Sequence, residues 1–241
     1  MTNRGHFYAV GVGPGSPDLL TLRAVDIISK ADVLICPASA KKNESLALNI
    51  IKPWIKKQKI ELVKYPMRKD VGGTWNLWEH VAKRVKKGCE QGKIIAQITL
   101  GDPLFYSTSC YLLTSLEKIF PKSHIHVVPG ITAFQATGAK FGLPFVWQED
   151  SFMVMPASDL QRIEQAISWC ETLVLYKVGK VLKEVLFLLD KYNLFPSSYL
   201  AAYVEQEGEY LISNLKKDLT LPGYLVTLII QTGHKSWNYK K

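Results

Sequence analysis

Three short segments rich in glycine and proline are the part of this sequence best suited to hold a ligand. They read "GVGPGS" at residues 11–16, "GDPLFYST" at 101–108 and "VPGITAF" at 128–134, and are called the first, second and third loops. Each follows a short apolar run typical of a buried strand and precedes a segment with helical periodicity. Glycine lets a ligand approach the backbone, and loops after the carboxyl ends of strands line the ligand crevice of open α/β sheets. We therefore predict that the three loops form the rim of one crevice.

The first loop matches neither of two common phosphate-binding motifs. A P-loop requires Gly-Lys followed by Ser or Thr, and no Lys follows these glycines. The dinucleotide fingerprint Gly-x-Gly-x-x-Gly fits Gly11 and Gly13 but meets Ser16 at its third position. For this loop alone, an ordinary strand-to-helix turn is an equal alternative, with Ser16 as the helix cap and Pro17 in the first turn.

The second loop also has a purely structural interpretation. Gly101 would make the turn, Asp102 is a favourable N-cap, and Pro103 is a favourable first residue of a helix. Asp102 could therefore be a helix cap and nothing more. Three loops of the same kind at strand ends nevertheless favour a ligand site over three unrelated turns.

The composition limits the classes of protein to be considered. The chain has 241 residues, of which 47% are hydrophobic and 21% charged, as expected of a globular protein with one large or two small domains. Its four cysteines are far apart and form no CxxC pair, which argues against a zinc site and favours a reducing compartment. The sequence shows neither a signal peptide nor an apolar run long enough for a membrane span. We expect a cytoplasmic protein with no membrane partner and no bound metal.

A net charge of +9 favours an anionic partner. Nucleic acid would fit, and so would a small molecule with many carboxylates or phosphates. No motif that combines aromatic and basic residues for RNA binding is visible, so we expect no nucleic-acid partner. A lysine-rich, solvated surface explains the charge equally well.

Strands and helices alternate along the first half of the chain, which predicts an α/β fold with a mostly parallel sheet. Helices are predicted near residues 17–30, 45–57 and 75–90, between apolar runs that indicate strands. Near the end of the chain, strand-like runs follow one another through short turns, which predicts a mixed sheet. We predict an N-terminal α/β domain over residues 1–123, which carries the second loop, and a C-terminal α/β domain over residues 124–241.

Four segments, in this order, carry a resemblance to a known family: "VGVGPGSPDLLTLRA", "GDPLFYST", "VPGITAF" and "LVLYKVGK". Together they resemble the tetrapyrrole (corrin/porphyrin) methylase family, and the resemblance covers nearly the whole chain. Within that family, "GDPLFYST" resembles the precorrin-2 C20-methyltransferase group. Uroporphyrinogen methyltransferases instead carry a "GDPFIFGRGGEE"-like run, and this chain has Ser107 and Thr108 where Gly and Arg would stand.

The resemblance implies that S-adenosylmethionine binds in a crevice between two α/β domains. The positions that match the family's cofactor-binding residues are Pro14, Gly101, Asp102, Phe105, Tyr106, Thr132, Ala133, Lys177 and Gly208. Thr132 has the alternative of a helix cap, and Lys177 that of a solvated lysine at a strand end. Gln206 and Glu207, just before Gly208, depart from the Glu-Arg-Val-Gly-like run of the subgroup.

The resemblance also implies a reaction: methylation of the C20 meso carbon of precorrin-2 or cobalt-factor II in cobalamin biosynthesis, with S-adenosylhomocysteine as product. The metal-free and cobalt-loaded substrates stay open. Arg68 and Lys69 could bind the carboxylates of such a tetrapyrrole, with a solvated surface loop as the alternative, and Ser107 and Thr108 could contact the macrocycle. No general base can be named. Tyr106 is a candidate for a hydroxyl near the reacting edge, with a core-packed aromatic as the alternative.

Other functions remain compatible with the same motifs. One is a methyltransferase of the same fold that acts on uroporphyrinogen III or ribosomal RNA, and another is a non-catalytic protein that binds S-adenosylmethionine as a sensor. The resemblance and the apolar second half, including Phe141, Phe145 and Trp147, favour a homodimer.

Overall fold

The computed structural model describes residues 5–38, 45–64, 71–221, 223 and 225–233. The chain divides into two compact units, Met1–Thr132 and Ala133–Lys241. Among the described residues, no helix is both long enough and apolar enough to cross a membrane.

The first unit is built on a five-stranded parallel sheet. Its elements are β1 (Phe7–Gly11), α1 (Leu22–Lys30), β2 (Val33–Ala38), α2 (Leu46–Ile51), β3 (Lys59–Lys64), α3 (Val71–Glu90), β4 (Ile95–Thr99), α4 (Ser109–Glu117) and β5 (Ile125–Val128). The strand order is β3-β2-β4-β1-β5, and every pairing is parallel. The prediction of a parallel α/β sheet is confirmed.

Helices cover both faces of this sheet because its central strands, β1, β2 and β4, are buried on both sides. Phe7 on β1 and Ile95 on β4 pack in one buried cluster with side chains of α3 and α4. The next residue of each strand points to the other face. There, Ala96 and Val10 pack with side chains of α1 and α2.

Gln97 interrupts the apolar layer under α3 and α4. It lies on β4 two residues after Ile95, hence on the same face, and only 1% of it is exposed. Neither its amide nitrogen nor its amide oxygen has a hydrogen-bond partner among the described residues. A buried polar group of this kind opposes folding, since it loses its hydrogen bonds to water.

Two helices begin later than the sequence predicts. Residues Pro17–Leu19 form a single 3₁₀ turn, and α1 starts only at Leu22, where the Thr21 hydroxyl accepts a hydrogen bond from Ala24 N at 3.1 Å. The predicted cap, Ser16, instead donates its hydroxyl to Asp18. The helix after the second loop begins at Ser109 rather than at Pro103.

The second unit is built on a mixed sheet. Its elements are α5 (Ala133–Phe141), β6 (Phe152–Pro156), α6 (Leu160–Trp169), β7 (Thr172–Tyr176), α7 (Leu182–Lys191), β8 (Ser198–Ala202), β9 (Tyr210–Ile212) and β10 (Val226–Gln231). The strand order is β6-β7-β10-β8-β9; β6 and β7 are parallel and the other pairs antiparallel. The predicted mixed sheet in the second half is confirmed.

The division between the units lies beyond the boundary predicted between residues 123 and 124. β5 pairs with β1 along four residues, from Ile125 beside Phe7 to Val128 beside Val10, and so completes the first sheet. The first unit continues to Thr132, and the second starts with α5. Sequence periodicity marks β5 as a strand but does not say which sheet it joins.

Three histidines form a cluster where β1 and β5 begin. His6 Nδ1 lies 3.0 Å from His126 Nε2, and the rings of His6 and His124 stack with centroids 4.7 Å apart. The ring of Tyr8 stacks on His126 at 4.7 Å. Burial, and then the nearby His6 and His124, lower the pKa of His126.

We expect acidification from about pH 7.5 to about pH 5.5 to destabilise the wild type more than the variant His126→Asn. A histidine whose pKa is lowered by folding binds its proton more readily in the unfolded chain. Its contribution to stability is therefore complete above the unfolded pKa of about 6.5 and is lost as the pH falls. Urea denaturation at the two pH values measures the difference. His80→Asn, at an exposed position on α3, is the control and should keep the wild-type pH dependence. Equal pH dependence in wild type and His126→Asn would contradict the prediction.

Candidate functional site

The three loops lie side by side at one edge of the first sheet. β1 lies between β4 and β5 in the strand order, and all three strands run in the same direction. The first loop follows β1, the second follows β4, and the third begins at the end of β5. This arrangement is the one that the sequence predicts for a ligand-binding edge.

The first and second loops are joined through their backbones. Gly101 N donates to Gly13 O at 2.7 Å, and Gly13 N donates to Gly101 O at 3.3 Å. One step nearer the sheet, Val12 N donates to Thr99 O at 2.9 Å. The exchange between Gly13 and Gly101 is an isolated antiparallel bridge, formed just beyond the parallel β1–β4 ladder, and it fixes the two loops to each other.

Two further glycines allow the loop backbones to touch. A Cβ atom on Gly11 would lie 2.5 Å from the carbonyl oxygen of Gly101, and a Cβ on Gly130 would overlap that same oxygen. Neither position has room for a side chain. The carbonyl of Gly101 is thus enclosed by the first and third loops.

The carboxylate of Asp102 binds two backbone N–H groups. Its Oδ1 accepts from Leu104 N at 2.8 Å, within the second loop, and its Oδ2 accepts from Gly130 N at 3.0 Å, in the third. The alternative that Asp102 is an N-cap is wrong, because α4 does not begin until Ser109. Asp102 joins two loops instead.

The far end of the second loop is held by hydroxyl groups. Thr99 Oγ1 lies 3.0 Å from Ser107 Oγ, and Ser107 Oγ also accepts from Ser109 N at 3.0 Å. Between these anchors, Tyr106 has a φ of 49°, a left-handed conformation that is rare for a bulky residue. The side chain of Tyr106 is 51% exposed, so the alternative of a core-packed aromatic is wrong.

Gly101 leaves an open space beside the second and third loops. Its φ is 69°, and a Cβ built on it would meet nothing nearer than Ile131 O at 3.9 Å and Thr132 Cα at 4.0 Å. The rim therefore has a stretch of accessible backbone at the Gly-Asp turn of the second loop. Because the φ is positive, a substitution at Gly101 would test backbone strain as much as ligand contact.

Within the described part of the first unit, the remaining predicted site residues show no contact that indicates a ligand. Pro14 and Thr132 are buried, and Thr132 directly precedes α5. Thr108 is the residue before α4 and makes no side-chain cap hydrogen bond there. Arg68 and Lys69 lie outside the described residues.

Three predicted cofactor positions belong to the second unit. Ala133 opens α5, and the backbone N–H of the next residue, Phe134, donates to the hydroxyl of Tyr176 at 3.0 Å. This bond brings the start of α5 to the end of β7, where Lys177 follows with an exposed side chain and a φ of 62°. Gly208 lies between β8 and β9 with a φ of 79°.

Sequence reasoning missed Thr99 and Gly130, which join the loops of the first unit, and Tyr176, which holds the start of α5 within the second. A signal existed for Thr99, a hydroxyl residue at the end of a buried strand, directly before the Leu-Gly-Asp turn. For Gly130, the signal was its place between proline and a helix in the third loop. Tyr176 gave no signal, since an aromatic residue in a strand is ordinary.

The chemistry available at the loops is that of binding and orientation. Asp102 is the only carboxylate in the three loop sequences, and it already accepts two hydrogen bonds. Burial raises the pKa of Cys110, which lies just after the second loop, and raises the pKa of Cys36 to about 12. Neither thiol is a ready nucleophile at neutral pH. Among the residues that the structure describes, no group of three or more His, Cys, Asp or Glu side chains could hold a metal ion.

Comparison with known proteins identifies the family. Residues 6–208 match the model of the Tetrapyrrole (Corrin/Porphyrin) Methylases. The chain belongs to the tetrapyrrole methylase family. The resemblance carried by the loop motifs is thereby confirmed.

Two relatives align with this methylase over most or nearly all of its length. It is 31% identical over 240 residues to the Cobalt-precorrin-2 C(20)-methyltransferase of Salmonella typhimurium, which covers 98% of both chains. It is 33% identical over 170 residues to the Probable cobalt-precorrin-2 C(20)-methyltransferase of Methanocaldococcus jannaschii, covering 70% of this chain and 71% of the relative.

A solved structure confirms the fold of this methylase. The Uroporphyrin-III C-methyl transferase from Thermus thermophilus, complexed with S-adenyl homocysteine, superposes with a TM-score of 0.64 over 95% of this chain and 98% of the other. The two sequences are 18% identical, so the similarity concerns the architecture.

We expect Gly130→Ala to lower the free energy of unfolding by about 3 kcal/mol, because the added methyl group overlaps the Gly101 carbonyl and the packed backbones must move apart. Gly142→Ala is the control. Gly142 has a φ of 65°, and a Cβ added there would meet no atom within 4 Å, so only backbone strain of about 1 kcal/mol applies. Urea denaturation measures both variants. A loss in Gly130→Ala no larger than in Gly142→Ala would contradict close packing of the loops.

Proposed function

We propose that this tetrapyrrole methylase transfers a methyl group from S-adenosylmethionine to the C20 meso carbon of precorrin-2 in its cobalt-loaded form, in cobalamin biosynthesis. The observation that carries the proposal is the similarity, over 98% of both chains, to a relative named Cobalt-precorrin-2 C(20)-methyltransferase. The Tyr106-Ser107-Thr108 run in the second loop supports the same subgroup.

The loops offer accessible backbone groups and aromatic surface, and both features suit S-adenosylmethionine. A ligand with polar and apolar parts needs accessible backbone groups, and the space beside Gly101 exposes backbone of the second and third loops. Phe105 and Tyr106 add aromatic surface, with ring centroids 4.9 Å apart. Their rings are suited to pack against a nucleoside or a thioether chain. When bound, S-adenosylmethionine supplies a methyl group that its sulfonium has already activated.

The residues of the chain have to orient the reactants rather than activate them. Placement of the methyl group in line with the attacking carbon lowers the barrier of such a transfer. The loops suit that task because hydrogen bonds between backbones fix them to one another. Backbone carbonyls near the methyl group would offer weak C–H···O contacts. Tyr106 is the hydroxyl proposed to lie near the reacting edge of the macrocycle.

The substrate is a polycarboxylate, and the net charge of +9 suits it. Arg68 and Lys69 are proposed to bind its carboxylate arms, and Thr108 to contact the macrocycle. Ser107 is proposed for the same contact through its backbone or its remaining hydrogen-bonding capacity, since its hydroxyl already serves Thr99 and Ser109.

Methyl transfer to the C20 carbon is the test of this function. Wild-type protein is incubated with S-adenosylmethionine carrying a ¹³C-labelled methyl group and with one of four acceptors: metal-free precorrin-2, cobalt-loaded precorrin-2, uroporphyrinogen III or ribosomal RNA. The tetrapyrrole products are mapped by carbon NMR. We expect the label on one meso carbon, with faster turnover of the cobalt-loaded substrate.

Several outcomes of this experiment would contradict the proposal, and each points to a different alternative. Label on saturated ring carbons, with uroporphyrinogen III as the better substrate, indicates a uroporphyrinogen methyltransferase. Binding of S-adenosylmethionine without transfer to any tetrapyrrole indicates a sensor. Transfer to ribosomal RNA, with a salt-sensitive affinity, indicates an RNA methyltransferase.

We further propose that the enzyme is a homodimer and expect a sedimentation mass of about twice the chain mass of 27.2 kDa. The second unit supports this with exposed apolar side chains on one short stretch: Val146 is 49% exposed, Trp147 41% and Phe152 37%. Analytical ultracentrifugation at micromolar concentration measures the mass. Trp147→Glu should shift the distribution toward the single chain, whereas the control Phe187→Glu, at an exposed site on α7, should not. A wild-type protein that sediments only as a single chain would contradict the proposal.

A further inference from the structure

We propose that Thr99 is a positioning residue for the transfer reaction, and that its hydroxyl group, through Ser107, holds the second loop in the conformation that presents Phe105 and Tyr106. Thr99 is the last residue of β4 and is 5% exposed. Only the expected effect of Thr99 on turnover rests on the proposed function. Its effect on the loop can be measured without any ligand.

Thr99 connects the sheet to two loops at once. Its carbonyl oxygen accepts from Val12 N of the first loop at 2.9 Å. Its Oγ1 lies 3.0 Å from the hydroxyl of Ser107, at the far end of the second loop. The chain between Thr99 and Ser107 leaves the sheet and returns to the same residue, so the hydroxyl pair closes the loop at its base.

The residue next to this closure has an unfavourable backbone conformation. Tyr106 directly precedes Ser107 and has a φ of 49°, which brings the Cβ of an L-residue close to its own backbone. Burial of the tyrosine ring does not offset the cost of this backbone conformation, since half of the side chain is exposed. Such a conformation persists when the neighbouring structure fixes it. Ser107, held by both Thr99 and Ser109 N, fixes the backbone on the C-terminal side of Tyr106.

The other end of the loop has its own independent anchor. Asp102 is fixed by hydrogen bonds to Leu104 N and Gly130 N, and Gly101 by the exchange with Gly13. Loss of the Thr99 hydroxyl should therefore release the segment around Phe105 and Tyr106 while the Gly-Asp turn stays in place. A defect confined to one half of the loop is the signature of this role.

Hydrogen exchange on the ligand-free enzyme tests the loop directly. Thr99→Val keeps the shape of the side chain and removes the hydroxyl, whereas Thr99→Ser keeps the hydroxyl and removes the methyl group. We expect amide exchange over residues 105–109, which include the Ser109 amide that donates to Ser107 Oγ, to be roughly threefold to tenfold faster in Thr99→Val, as the loss of one hydrogen bond implies, and close to wild type in Thr99→Ser. Exchange in α7 of the second unit should not change. Equal exchange in the wild type and Thr99→Val, or equal acceleration in both variants, would overturn the inference.

Kinetics then separates positioning from a merely structural role. With the cobalt-loaded substrate, we expect the KM for S-adenosylmethionine to rise roughly threefold to tenfold in Thr99→Val and to return near the wild-type value in Thr99→Ser. A fall in melting temperature with an unchanged KM and kcat would show that Thr99 supports stability alone. If the wild-type enzyme transfers no methyl group, the proposed function fails, and the exchange experiment still decides whether Thr99 holds the loop.

Discussion

The contact on which the site depends is the packing of three backbones around the carbonyl group of Gly101. The first loop reaches it through Gly11 and Gly13, and the third through Gly130. Backbone atoms can come this close only where side chains are missing, so the glycines are a steric requirement of the architecture. Because β4, β1 and β5 are neighbours, any change that separates these strands also separates the loops.

The same packing explains why the loops contain so little acid–base chemistry. Asp102, the carboxylate that the motif supplies, accepts from two backbone N–H groups, that of Leu104 on the exposed side of the second loop and that of Gly130 in the third. A carboxylate used in this way fixes the geometry of the loops. That suits methyl transfer, in which the electrophile arrives already activated and the protein has chiefly to set distance and angle.

The sequence predicts those parts of the fold that depend on local patterns. Apolar runs identify the strands of both sheets, and glycine and proline identify the three loops, because their effects act within a few residues. The start of α1 is missed because Thr21 and Ser16 are both good caps, and only the path of the chain decides between them. The assignment of β5 to the first sheet and the pairing of Thr99 with Ser107 depend on which segments meet in space, and no local pattern encodes that.

Replacement of the buried Gln97 offers a route to a more heat-tolerant catalyst. Two polar atoms lie in an apolar layer without partners among the described residues, and an unbranched apolar residue of similar volume, such as methionine, would fill the same space. The side chain lies under α3 and α4, two residues before the strand gives way to the glycine-rich rim. The sheet can therefore be strengthened from within without a change in the residues of the three loops, which separates the durability of this fold from the surface proposed to bind ligands.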